Sequence, residues 1–245
     1  MVLQSYDKLF APSKAYWAYW QELAEDAVYN GLIIEGWFAD KLPPIFTADK
    51  FLSYCNNRKR ASNNSASDWI RFNYLRCNGQ YREFGIPTPF TYERLARGIA
   101  NSWKEIVCHV KKHTLLQSYS VSRIHPRVIP DSQAIFQMNY SNWMNDPSPE
   151  PAILIGKQYV VKCDISTCFP SIYTHSLPWA IMGRDRAKQD REERPDNWAN
   201  KIDKLLQKVS DGETHGLLIG PHSSNVVSEL ILTVIDANLY NKGYR

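Results

Sequence analysis

The chain has 245 residues, 44% of them hydrophobic and 22% charged, with a formal net charge of +4. Its pI is near 8.7 and its mean hydropathy is −0.43. That is enough chain for one large domain or two small ones; with no run of 18 apolar residues, a membrane-spanning helix is not expected. The start, MVLQSYDKLF, has neither a basic n-region nor a long apolar core, so no signal peptide is expected. Five cysteines without a C-x-x-C pair point to a cytoplasmic protein with reduced thiols.

In chain order, residues 1–40 read as a helical, aromatic extension (Tyr16, Trp17, Tyr19, Trp20). Residues 56–67, NNRKRASNNSAS, form a polar, basic loop. Tyr81 to Trp103 is an extended segment ended by Pro87 and Pro89. A helix follows, with Leu95, Ile99 and Trp103 on one face and Arg94 and Arg97 elsewhere. Cys108, His109 and His113 do not make a four-ligand zinc set, so a structural role is expected for them. Residues 143–152, with Pro147, Pro149 and Pro151, read as a linker.

The run Tyr159, Val160, Val161 predicts a strand that carries Asp164 to its C-terminal end, with Phe169 and Pro170 beyond it. Such an acid can hold a metal ion; it can equally cap the next helix. Residues 184–201 are dense in charge of both signs and predict a solvated excursion. Gly216, Gly220 and Pro221 form a turn that lets backbone approach a ligand closely, with Ser223 or Ser224 as helix N-cap. Behind it Val226, Leu230 and Val234, with Val227, Ile231 and Ile235, give two apolar rows of one amphipathic helix. Eight Trp and 14 Tyr beside 29 Lys+Arg suit base stacking and phosphate contact, although the same aromatics also fill cores.

Three of these segments, in this order, resemble elements of reverse transcriptases of the bacterial retron-like and abortive-infection, phage-defence type. DISTCFPSIYTHSLPWA resembles the first catalytic motif. The segment from Gly212 to Asp236 resembles the G-x-P-x-G-P-x-S/T-S element through Gly216, Gly220, Pro221, Ser223 and Ser224. Leu218 stands there where proline is usual, and His222 where aspartate is frequent. Residues 81–103 resemble the fingers element R-x-L/F-x-I-P-x-P through Arg82, Gly85, Ile86, Pro87 and Pro89. LPPIF (42–46) and SVSRI (120–124) look like shorter elements of the same group, so the likeness spans most of residues 41–245.

The resemblance implies an α+β fold, with fingers over residues 41–151 and a partial palm, an antiparallel sheet with helices on one face, over residues 152–245. It implies an RNA-directed DNA polymerase acting on dNTPs, an RNA template and a DNA primer or product, with two Mg²⁺ ions as cofactor. Asp164 would be the catalytic acid and a metal ligand, with the backbone carbonyl of Ile165 as a further ligand, because Mg²⁺ prefers oxygen. Phe169 matches the gate that excludes a ribose 2′-hydroxyl. Gly220, Pro221 and Ser223 would lie at the nucleotide, with Arg123 and Arg127 as cations for its triphosphate and Lys112 behind them. Arg82, Arg94, Arg97 and Gly216 would lie along nucleic acid.

Related enzymes continue into a Y-x-D-D strand and a thumb, and neither is found in the sequence. The expectation is therefore an N-terminal fragment, with the remaining acids on a missing C-terminal part or a second polypeptide. A non-catalytic nucleic-acid-binding remnant and a template-independent or protein-priming polymerase are the alternatives.

Overall fold

The computed structural model describes residues 16–38, 42–43, 45–57, 65–114, 124–126, 136–138, 156, 158–159, 161, 165–194 and 197–243. Helices α1 (Tyr16–Gln21), α2 (Glu25–Ile34) and α3 (Asp49–Asn57) come first. Strands β1 (Ile70–Leu75) and β2 (Tyr81–Ile86) follow, then α4 (Pro89–Asn101) and α5 (Trp103–Thr114). After β3 (Ile124–Pro126) and β4 (Phe136–Met138) the chain is helical: α6 (Cys168–Ser171), α7 (Ser176–Met182), α8 (Arg184–Glu193), α9 (Trp198–Val209) and α10 (His222–Asn241). The fold class is mixed α+β. Among the described residues the sheets are two antiparallel hairpins, β1 with β2 and β3 with β4, and no wider palm-like sheet is formed.

Local chemistry explains the main elements. Asn78 and Gly79 close the first hairpin: Gly79 takes φ 77°, and its N–H donates to the Arg76 carbonyl. Strand pairing runs from Ile70 opposite Ile86 to Leu75 opposite Tyr81. Pro87 ends the ladder, and Pro89 opens α4 at a position where its missing N–H costs nothing. Leu95 and Ile99 of α4 and Trp103 of α5 are buried, as the spacing predicts.

One apolar cluster draws residues from all three stretches of the chain. Trp20, Leu32 and Ile33 meet Tyr92, Leu95, Ile99, Trp103 and Ile106, and these meet Ile202, Val226 and Leu230. Trp20 and Trp103 stack with ring centroids 5.4 Å apart, and the Trp103 indole N–H donates to the Trp20 carbonyl at 3.1 Å. Helix α4 lies between α2 and α9, and α10 rests on α5 and α7. Both apolar rows of α10 are buried up to Ile231; beyond it Ile235 and Leu239 turn to solvent. No helix among the described residues is long and apolar enough to cross a membrane.

Two local expectations come out differently. Tyr159 and Val161 lie outside any strand and are 85% and 82% exposed. Strand propensity is largely packing against neighbours on a half-buried face, and these two side chains have no such face. Ser223 and Ser224 sit inside the first turn of α10, whose N-cap is Pro221 with extended backbone (φ −62°, ψ 137°). Both serines are buried and packed into the interior rather than capping. The charged excursion is solvated as expected: its first part forms α8, most of whose charges face water, with Ala187 and Asp190 buried. Residues 143–152, which read as a linker, lie outside the described residues.

Candidate nucleotidyl-transfer junction

The loop 214–221 is where the three motif segments meet. Its first half docks on residues 169–174 through backbone hydrogen bonds. Leu217 N–H donates to the Phe169 carbonyl at 2.8 Å and Gly216 N–H to the Ile172 carbonyl at 2.9 Å. Thr174 N–H reaches back to the Thr214 carbonyl at 2.9 Å, and Tyr173 bridges His215. Gly216 makes this approach possible. Its φ is +94°, and a Cβ there would stand 3.4 Å from the Pro170 carbonyl oxygen.

The second half of the loop docks on the β2 end. Gly85 N–H donates to the Ile219 carbonyl at 2.9 Å, and a Cβ on Gly85 would come within 2.9 Å of the Leu218 side chain. The helix that follows is tied down by Gly36, whose carbonyl accepts the His222 N–H at 2.8 Å and the Tyr92 hydroxyl at 2.5 Å. Burial pushes the Tyr92 phenol pKa well up, keeping it neutral, with Ser223 beside it. Pro221 and Ser223 are buried and Gly220 is half-buried.

Residues 165–171 form the exposed lip of this junction. Ile165 is 56% exposed. Thr167 adopts a left-handed conformation (φ 50°, ψ 44°), unusual for a β-branched residue, and its hydroxyl lies 3.1 Å from that of Ser171. Strained residues of this kind collect at functional sites, where the fold forces them. Phe169 packs partly on the main core and keeps part of its ring accessible. Tyr173 stands edge-on to His215 at 4.8 Å.

The other sequence-derived positions scatter. Asp164, Arg123 and Arg127 lie outside the described residues. Arg82 is on β2, its guanidinium 5.8 Å from the Phe84 ring. Arg97 is held in place: it pairs with Glu93 at 2.6 Å, donates to the Tyr29 hydroxyl at 2.7 Å and lies 4.3 Å over that ring. Arg94 is on the face of α4 turned away from the loop, and Lys112 is exposed on α5. Among the described residues no three His, Cys, Asp or Glu side chains gather to hold a metal.

Sequence reasoning missed a polar pair beneath the junction. His175 Nδ1 contacts the Asp203 carboxylate at 2.7 Å, and Gln207 donates to the same carboxylate at 2.8 Å and to the Thr174 hydroxyl at 3.5 Å. Asp203 is buried and His175 partly open, so the pair fixes the segment after Tyr173 onto α9. The only available signal was an acid placed among the apolar positions of α9, which a solvent-facing residue would not need. No family model matches the chain, and no curated protein does.

Proposed function

We propose that the chain carries the fingers and the first part of the palm of an RNA-directed DNA polymerase of the retron-like, phage-defence type. The observation that supports this reading is convergence: segments 81–89, 168–174 and 214–224, each matched independently in sequence, are joined by direct backbone hydrogen bonds at one loop. Unrelated surface turns would have no reason to meet. In this reading Phe169 offers its accessible ring edge to the sugar of a dNTP, and the backbone around Gly216 and Gly220 supports the template strand. Asp164 and the Ile165 carbonyl would hold Mg²⁺, a cation that prefers oxygen ligands. The cation supplies charge neutralisation at the triphosphate. His175 and Asp203 keep the lip anchored to α9 and have no contact with the reaction.

The test is primer extension by the complete polymerase on an RNA template. Asp164→Asn is expected to abolish dNTP incorporation with the fold intact, since loss of a metal-ligand charge removes several kcal/mol of transition-state stabilisation. Phe169→Ala is expected to raise the use of NTPs relative to matched dNTPs. Near-normal incorporation by a folded Asp164→Asn variant would overturn the assignment. DNA made without any added template would favour the template-independent polymerase instead.

A further inference from the structure

A cavity of about 510 Å³ lies away from the junction. It is an open groove between α3, α4 and α9, within the roughly 300–1,000 Å³ range of ligand sites. Helix geometry separates the two places. Leu95 of α4 and Leu206 of α9 face the 216–224 loop, whereas Arg94, Arg97 and Lys201 face the groove on the opposite side of the same two helices. Gly98 lets the helices close at the groove floor, where a Cβ would collide with the Leu205 side chain.

Two features fit this groove to one class of ligand. Its rim carries Tyr54 and Phe90, rings 6.2 Å apart and both more than 40% exposed. Along α9, Lys201, Lys204 and Lys208 recur at one helical face and continue the cationic lining past the cavity. None of the three pairs with a carboxylate among the described residues, and Lys208 stands close enough to Arg94 and Lys204 for their charges to oppose its own. The acid in the groove, Glu93, is already neutralised by Arg97 and Tyr29. A row of cations longer than the cavity, beside two accessible rings, suits a phosphodiester chain with one base on the rings, not a single small anion.

The geometry points to a binding track for single-stranded nucleic acid across the α3–α4–α9 face, with a base against Tyr54 and Phe90 and phosphates along Lys201, Lys204 and Lys208. It is separate from the polymerase junction and does not depend on that assignment. Anisotropy of labelled oligothymidylate with the full chain, over a salt series, tests it. Lys201→Ala and Lys204→Ala should each flatten the log–log salt dependence by about 0.7 for a lost phosphate contact. Tyr54→Ala should weaken binding roughly tenfold with an unchanged slope. Lys188→Ala on α8 should leave affinity unaltered. Unchanged affinity and slope in the Lys201→Ala, Lys204→Ala double variant, folded by circular dichroism, would overturn the track. So would competition by dTTP as strong as that by unlabelled strand.

Discussion

The helices around Trp20 and Trp103 place Trp20, Leu32, Ile33, Leu95, Ile99 and Ile106 fully out of water, whereas the junction leaves Ile165 and Tyr173 about half exposed and is joined by backbone hydrogen bonds. The first region draws its stability from area removed from water, in a densely packed interior. The second depends on backbone geometry, two close-approach glycines and a left-handed threonine. A region built on packing resists change in proportion to volume lost. A region built on backbone contact tolerates side-chain loss and fails when a Cβ intrudes. The second construction suits the proposed polymerase role, because it leaves side chains and backbone available to ligands.

Truncation on either side gives the largest contrast. Trp103→Ala and Leu230→Ala, both in the packed region, should cost about 3–5 and 2–5 kcal/mol by urea denaturation. Tyr173→Ala, which gives up one edge-on ring contact at the junction, should cost no more than about 1.5 kcal/mol. Equal losses in the two regions would erase the distinction.

Acid should expose the packed region selectively. His109 is buried, its Nε2–H donates to the Leu230 carbonyl at 3.2 Å, and desolvation lowers its pKa to about 4, helped by His113 and Lys112. The folded state therefore binds this proton less readily than the unfolded chain, whose histidine titrates near 6.5. Stability from this site is fully present above about pH 6.5 and is lost as pH falls towards 4, on the order of 3 kcal/mol in all. His109→Gln should flatten that part of the stability–pH profile. A profile as steep as that of the parent would assign the acid sensitivity to other groups.

How far the sequence could be read follows the same division. Helices α4 and α10 were legible because their apolar residues recur at helical spacing, and β2 because two prolines end it. Gly216 and Gly220 were legible as a turn, and φ values of +94° and +126° bear out that reading. What could not be read was anything dependent on a distant partner. Nothing local marks Gly36 as acceptor for both Tyr92 and His222, or Asp203 as partner of His175, 28 residues away. Tyr159 and Val161 show the converse, strong strand formers whose side chains find no face to cover.

Adding a Cβ at the junction should cost less than a core truncation yet disturb function more. Gly216→Ala imposes a side chain at φ +94°, with its Cβ at ordinary contact distance from the Pro170 carbonyl, and the backbone strain should cost on the order of 1–3 kcal/mol. The hydrogen bonds from Gly216 and Leu217 to residues 169–172 should loosen, so incorporation should fall by more than the stability loss explains. Parallel urea denaturation and an assay of the proposed primer extension would separate the two effects.

The smallest expected change has the opposite sign. Thr167 is β-branched and left-handed, and relieving that conformation with Thr167→Gly should gain about 1–2 kcal/mol. The freer unfolded chain returns about 1 kcal/mol of this, so the net stabilisation should stay below about 1 kcal/mol, visible as a small rise in urea midpoint. If the strain merely results from a tight turn, nucleotide selection will be unaffected. If the turn instead aims the Ile165 carbonyl and the Phe169 ring, the same variant will be more stable yet poorer at separating dNTPs from NTPs. Destabilisation by glycine would show that the Thr167 side chain, through its contact with Ser171, contributes more than its backbone costs.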